Sequence, residues 1–105
     1  MVKNILTAAG IQGRRGRFTG QKPASYVVWL DDVTTDGPDG LPMVYQHDIT
    51  LELYEDKPDD AAETSLEAAI AAAGLQYTKQ DRYWLQSEQQ YQVVYEFTYY
   101  EKRRV

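Results

Sequence analysis

The chain has no cysteine and only one histidine, His47, among its 105 residues. Disulfides and thiol chemistry are therefore excluded, and so are zinc sites and Cys/His catalysis, which require several such residues. The lack of cysteine leaves the compartment open and agrees best with the reducing cytosol. His47 falls in register with the apolar face of its predicted strand, so we interpret it as a hydrogen-bonded histidine of the core or sheet edge rather than a catalytic base.

Motifs for catalysis and cofactor binding are also missing. The glycines fit neither a P-loop nor a dinucleotide-binding motif, and no nucleophile elbow surrounds any of the serines. Carboxylates are abundant, but none stands apart from a solvated acidic surface. We therefore predict a protein that is not an enzyme and that uses no cofactor.

Metal binding is not predicted either. Asp32, Asp36 and Asp39 offer oxygen ligands for calcium, but their spacing departs from that of an EF-hand and the closing glutamate is absent. The turn-rich segment 31–42 that contains them is therefore predicted to be an ordinary hairpin loop.

Long apolar segments are absent as well. No run of about 18 apolar residues occurs, so the sequence predicts no membrane-spanning helix. The first residues include Lys3 but no apolar core of signal-peptide length, so no secretion signal is expected. The length predicts one small domain, residues 1–105, with a single hydrophobic core.

Charge is present in quantity, and it is unevenly distributed. The formal net charge is -5, yet residues 1–30 contain five bases and no acid, whereas residues 31–101 contain all sixteen acids and three bases. Such asymmetry within one domain suggests complementary faces that meet between copies, or a basic loop that meets an acidic partner. A solvated surface with no partner gives the same composition, so this alternative stays open.

The basic residues concentrate in the glycine-rich segment 10–22, which is predicted to be a mobile loop because glycine makes ordering entropically costly. Two functional interpretations compete with plain mobility. The loop could become ordered against an acidic surface of a partner protein, or it could contact the phosphates of a nucleic acid. The acidic body of the domain disfavours a dedicated nucleic-acid binder.

Two helices are predicted. The first spans residues 2–9, where apolar residues share one face. The second runs from Asp60 to Gly74, with Asp60 as N-cap, Glu63 completing a capping box, and Gly74 in the left-handed conformation at the end. Its apolar stripe is rich in alanine, which should let this helix lie close to whatever covers it.

Four strands are predicted from alternating or continuously apolar patterns. They span residues 23–30, 43–55, 77–86 and 91–100. The third is polar in its first half, which predicts a bend or bulge near Gln80–Asp81. The tail, residues 101–105, is expected to fray. The order α-β-β-α-β-β predicts an α+β fold, with an antiparallel four-stranded sheet that carries the helices on one face.

Four segments resemble the tail-completion proteins of long-tailed phages, also called tail terminator or tail-to-head joining proteins. The segments are Pro23–Trp29, His47–Lys57, Leu66–Gly74 and Tyr91–Tyr100. The resemblance covers about residues 23–101, and it rests on patterned motifs rather than on a catalytic signature. The predicted first helix, however, is shorter than this family would lead us to expect.

The resemblance implies a structural protein that forms a ring, typically of six copies, on the head-proximal end of the tail tube. Such a ring ends tail growth and joins the tail to the head. The implied partners are other copies of this chain, the tail tube protein and the head-tail connector protein, with no membrane and with DNA only as it passes through the ring. The implied location is the head-proximal end of the tail in the virion, after assembly in the host cytoplasm.

A ring uses heterologous interfaces, in which one face of a subunit meets a different face of the next. The separation of basic and acidic residues suits that arrangement. Our interface hypothesis is that the basic loop lies near the ring lumen or against the tube. The residues that it assigns to this interface are Arg14, Arg15, Arg17, Phe18 and Lys22.

The alternative from another class is a small acidic binding module, such as a phage-encoded inhibitor of a host protein. Nine tyrosines would suit such a module, because tyrosine is enriched at protein interfaces. A soluble one-to-one complex with a host protein would favour this alternative, and assembly only with tail tube protein would favour the ring.

Overall fold

The structure of the chain is a computed structural model that describes residues 1–37 and 43–103. Two helices and six strands follow one another along these described residues. They are α1 (Val2–Ala9), β1 (Gly13–Arg15), β2 (Ser25–Asp36), β3 (Met43–Glu55), α2 (Asp60–Ala72), β4 (Thr78–Lys79), β5 (Tyr83–Leu85) and β6 (Gln90–Arg103). The strands form one sheet in the order β1-β2-β3-β6-β4, and β5 also pairs with β6.

The predicted α+β fold with helices on one face is confirmed, but the sheet has six strands rather than four. The predicted third strand, 77–86, is two short strands, β4 and β5, which both pair with β6 and are separated at the predicted bend. The sixth strand is β1, which lies within the segment predicted to be a mobile loop. It pairs in parallel with β2, so the sheet is not purely antiparallel.

Close packing explains why part of the glycine-rich segment is ordered. Gly13 starts β1, and a Cβ atom there would lie 2.5 Å from Leu6 Cδ1 and 3.2 Å from the carbonyl oxygen of Val27. A larger residue would have to displace the Leu6 side chain and shift the β2 backbone, so glycine suits this position between α1 and β2. The prediction of a mobile loop rested on the conformational entropy that glycine loses on ordering. In residues 13–15, strand pairing with β2 and packing against Leu6 offset that loss.

The second helix differs from its prediction at its N-terminus. Asp59, not Asp60, is the N-cap: its Oδ1 accepts a hydrogen bond from the backbone N–H of Ala62 at 3.0 Å, and its Oδ2 accepts one from Ser25 Oγ at 2.7 Å. Glu63 does not complete a capping box, because its carboxylate is held by basic side chains instead. Gly74 has the predicted left-handed conformation, with φ of 78°.

The main core lies between the two helices and one face of the sheet. Every second residue of β2, β3 and β6 contributes to this face, and Leu66 and Ile70 of α2 are fully buried against it. The strand residues in this core are Val27, Trp29, Ile49, Leu51, Leu53, Val93, Tyr95 and Phe97. The opposite face, which we call the helix-free face, carries a smaller apolar cluster. None of the described helices is long and apolar enough to span a membrane.

Three strands continue beyond the core as an arm, which we define as residues 31–36, 43–49 and 97–103. The register runs from the row Asp31–Ile49–Phe97 to the row Asp36–Val44–Lys102. The predicted hairpin loop therefore begins later than expected, because residues 31–36 are strand; residues 38–42 lie outside the described residues. Residues 101–103 belong to β6 rather than to a frayed tail, since β3 pairs with them.

His47 stiffens this arm from its middle strand. Its ring is 7% exposed and stacks on Tyr99, with 4.4 Å between ring centroids. Nδ1 lies 2.9 Å from Asp31 Oδ2 on β2, and Nε2 lies 3.1 Å from Glu101 Oε1 on β6. Burial lowers the pKa of His47, but the two carboxylates outweigh burial and raise that pKa above its ordinary value. The protonated ring, with two N–H donors, ties the three strands together.

We expect His47→Gln to remove a pH-dependent part of the stability. The folded protein binds the His47 proton more tightly than the unfolded chain does. The stabilisation is therefore complete below about pH 6.5 and is lost as pH rises through the raised pKa of the folded state. Urea unfolding from pH 5.5 to 8.5 should show a smaller loss of stability in the variant than in the wild type. Identical pH dependence in the two proteins would show that His47 does not hold the arm.

Candidate protein interface

Four of the five residues in the interface hypothesis lie together on the helix-free face of the sheet. They surround the start of β2 and the end of β3, where the chain between β1 and β2 folds back over the sheet. The four residues are Arg14, Arg17, Phe18 and Lys22. We call these four residues the basic patch. The patch occupies the segment that the sequence predicts to be mobile, and its ordering depends on an aromatic anchor.

The anchor is Phe18, which is only 9% exposed although its neighbours along the chain are exposed. Its ring lies 4.9 Å from that of Tyr26, and Tyr26 stacks at 5.3 Å on Tyr54. Val28 completes this small cluster. Burial of a phenylalanine side chain stabilises by roughly 1.5–3 kcal/mol, which offsets part of the entropy lost when the loop is held against the sheet.

The cations of the patch lie on this aromatic surface. The guanidinium carbon of Arg14 is 5.0 Å from the centroid of the Phe18 ring, and Lys22 Nζ is 5.7 Å from that of Tyr26. Arg17 follows the turn after β1, and its backbone N–H donates to the carbonyl of Arg15 at 3.0 Å. Within residues 1–37 and 43–103, none of the three basic side chains forms an ion pair.

Arg15 does not join the patch. Adjacent residues of a strand point to opposite faces, so Arg15 lies on the helix side, with its guanidinium 5.4 Å from the Trp29 ring centroid. There it lines a separate depression with Lys3 and Leu6 of α1. The interface hypothesis therefore places its bases on both faces of the β1 edge rather than on one.

Acidic side chains border the basic patch. Glu52 and Glu88 line the same shallow depression as Arg17, Phe18 and Lys22. A polyanion such as nucleic acid would meet repulsion from these carboxylates, whereas a protein surface can offer charges of both signs. Unpaired cations around a buried aromatic anchor are thus better suited to a protein partner, in which arginine and aromatic residues carry much of the binding energy.

The tyrosines beneath the patch were not assigned to it from the sequence. Tyr26 donates a hydrogen bond to Gln90 Oε1 at 2.9 Å, and Tyr54 accepts one from Gln92 Nε2 at 3.2 Å. Alternation along the two strands does place Tyr26 and Tyr54 on the face opposite the main core. That pattern was the available signal, but it does not show that Phe18 reaches them.

A second charged cluster, which was not predicted from the sequence, lies beneath the start of α2. Glu55 is fully buried at the end of β3, and its Oε1 lies 3.2 Å from Arg82 Nε. Arg82 also lies 2.6 Å from Glu63 Oε2 and 2.7 Å from Asp60 Oδ1. Lys79 adds a further ion pair to Glu63, at 3.0 Å. This cluster joins β3, α2 and the β4–β5 connection.

The cluster contains one imperfectly satisfied atom. Glu55 Oε2 has no hydrogen-bond partner among the described residues when the carboxylate is ionised, and it lies beside Glu63. Burial, together with that neighbouring carboxylate, raises the pKa of Glu55 to about 7 despite Arg82. Burial opposes ionisation of Glu63 too, but Arg82 and Lys79 outweigh it and lower the pKa of Glu63. When Glu55 and Glu63 together bind one proton, Glu55 is therefore the carboxyl that carries it.

We expect Glu55→Gln to stabilise the protein at pH 8. In the wild type, the folded state holds the Glu55 proton more tightly than the unfolded chain, so stability is lost as pH rises from about 4.5 to about 7. The amide keeps an acceptor for Arg82 and donates permanently to Glu63. The free energy of unfolding at pH 8 should rise by about 1–3 kcal/mol, the cost of an unsatisfied buried polar group, with little change at pH 4.5. A less stable variant at pH 8 would mean that Arg82 stabilises the ionised Glu55 and that burial does not raise the pKa of Glu55.

Comparison with known proteins shows similarity at the level of the fold. No protein-family model matches the chain, and no curated protein sequence matches it. Among solved structures, the fold is similar to a chain in the virion of a native gene transfer agent particle. The TM-score is 0.63, the sequence identity is 14%, and the match covers 94% of this chain and 84% of that chain. The two chains therefore share a fold over nearly their full lengths.

Proposed function

We propose that this chain is a non-enzymatic structural protein of a phage or prophage particle, which caps the head-proximal end of the tail tube as a ring, ends tail growth and joins the tail to the head. The fold likeness to a chain of a gene transfer agent virion carries this proposal, because it extends over 94% of the chain. The resemblance of the strand and helix segments to tail-completion proteins supports the same role. The partners are further copies of the chain, the tail tube protein and the connector protein.

The charges support the assembly role through their distribution. The basic patch and Arg15 lie at the β1 edge, whereas the acids lie in the remainder of the domain. A basic edge of this kind is suited to an acidic surface of a partner protein, and heterologous contacts between other faces of the subunits close the ring. In this arrangement Arg14, Arg15, Arg17, Phe18 and Lys22 contact the tube or line the ring lumen.

Localisation on assembled particles tests the proposal against the inhibitor alternative. An epitope tag on the chain should be labelled by antibody only at the neck of purified particles, between head and tail. A tag on the tail tube protein is the control, and it should be labelled along the tail. Absence of the chain from particles, together with a one-to-one complex with a host protein in the lysate, would replace the ring by the inhibitor.

A further inference from the structure

Both outer strands of the arm have open edges. On one side, β1 covers β2 only at Val27–Trp29; on the other, β4 and β5 cover β6 only between Gln90 and Glu96. Across the ranges that the structure describes, no further strand pairs with the outer edge of β2 at residues 30–36 or of β6 at residues 97–103. Two long edges of this kind are templates for pairing with another chain.

The hydrogen bonds formed in the covered parts of β2 and β6 show which backbone groups point outward along the open parts. Val27 N–H donates outward to β1, and Val94 C=O accepts from Gln80 outside β6. Backbone groups alternate in direction along a strand, so the outward groups on the open part of β2 belong to Asp31, Val33 and Thr35. On β6 they belong to Thr98, Tyr100 and Lys102. Each edge thus presents a regular series of donors and acceptors.

The side chains on the two edges favour unlike over like pairing. The β2 edge carries the exposed Asp32, and the β6 edge ends in the exposed Lys102. Three of the exposed large apolar side chains also lie here: Leu30 at 42%, Val33 at 46% and Tyr100 at 67%. Pairing of two β2 edges would bring acids together, whereas a β2 edge beside a β6 edge avoids that repulsion and covers apolar surface.

The arm is also rigid enough to present these edges without prior ordering. His47 links all three strands on one face, and on the other face Thr98 Oγ1 donates to Asp48 Oδ1 at 2.7 Å. A partner strand would meet edges that are already held in register by β3. Preorganisation of this kind reduces the entropy lost on association.

We infer that the outer edge of β6 pairs with the outer edge of β2 of a second copy of this chain, in parallel, so that the sheet continues from subunit to subunit. This inference rests on the proposed function, since it supplies the contact between neighbours in the ring. Both strands pair antiparallel with β3 and so run in the same direction. In a cyclic ring all copies share one orientation along the axis, so the junction must be parallel. Closure of the ring leaves no open edge on any arm.

Because the chain has no cysteine of its own, engineered cysteines are the only residues of the chain that can form a disulfide. Thr34 and Tyr100 lie in the same row and on the same face, on either side of Gln46. They are two strands apart within one chain, or roughly 10 Å, which is too far for a disulfide. Adjacent strands of two copies are about 4.8 Å apart, which permits one.

Particles assembled with Thr34→Cys/Tyr100→Cys should, after mild oxidation, give a ladder of cross-linked multimers on a non-reducing gel. Thr34→Cys/Thr98→Cys tests the neighbouring register, and at least one of the two pairs should cross-link. Thr34→Cys/Glu88→Cys is the matched control, because Glu88 lies on the turn between β5 and β6, and it should stay monomeric. Each single variant should stay monomeric too.

The outcomes separate this inference from the proposed function. Incorporation of both double variants into particles with no cross-link would overturn edge pairing and leave the ring in place. A dimer from Thr34→Cys alone would overturn the unlike pairing of edges. Absence of the wild-type chain from particles would remove the proposed function, and the inference with it.

Discussion

We expect glutamate at Arg14, Arg15 and Arg17 to abolish the joining of tails to heads while the domain stays folded. All three side chains are exposed, and in the described chain none is in an ion pair, so folding loses only weak contacts with aromatic rings and an exposed hydrogen bond from Arg14 to the carbonyl of Gly13. At an interface with an acidic partner surface, reversal of three charges replaces attraction by repulsion of several kcal/mol. The expected loss of infectious or DNA-transferring particles is therefore about a thousandfold or more.

The measurement is the yield of joined particles, counted by electron microscopy beside free heads and free tails. Circular dichroism and urea unfolding of the purified variant should show a wild-type fold. Lys57→Glu is a control for charge reversal away from the β1 edge, because Lys57 is likewise exposed but lies between β3 and α2. Normal joining by the folded triple variant would remove the β1 edge from the assembly interface.

The second large effect is expected from Arg82→Met, which should lower the free energy of unfolding at pH 8 by about 3–5 kcal/mol. Arg82 is the cation that Glu55 and Glu63 share, and these carboxyls are 0% and 6% exposed. Without it, two buried carboxylates lie side by side with only Lys79 near Glu63. Such a loss is a large part of the stability of a small domain.

Urea unfolding at pH 8 measures this loss, and Lys79→Met is the matched control. Lys79 pairs with the same Glu63 but is 37% exposed, so its removal should cost about 0–1 kcal/mol. Addition of Glu55→Gln to Arg82→Met should recover part of the loss. Equal effects of the Arg82 and Lys79 variants would show that the buried cluster is not a hub of the fold.

The sequence predicted those elements whose pattern is local. Helix α1, the body of α2, the bend between β4 and β5 and a buried, hydrogen-bonded His47 were all expected, because periodicity and turn residues determine them over a few positions. Strand β1 was missed for a tertiary reason: Gly13 lies in a narrow space between Leu6 and Val27, which are distant from each other in sequence. Phe18 was included in the interface hypothesis, but its role as a buried anchor depends on Tyr26 and Tyr54, which are distant in sequence.

The sequence contains a signal for the buried ion cluster, but the periodicity of the strand alone does not explain that signal. Ile49, Leu51 and Leu53 alternate toward the core, and Glu55 continues that series. A carboxylate in a core position predicts a buried charge that needs a cation. The sequence does not indicate that Arg82, in the predicted strand 77–86 and next to its predicted bend, supplies it. The open edges of the arm were likewise hidden, because residues 31–36 and 101–103 were predicted to be loop and frayed tail.

The most direct test of the proposed function is electron microscopy of particles assembled without this protein. A structural protein that ends tail growth and joins tail to head should, when absent, leave overlong tails or normal tails separate from filled heads. Expression of the wild-type chain in trans should restore joined particles. Normal, infectious particles in its absence would contradict the account, and the search for a host protein partner would then begin.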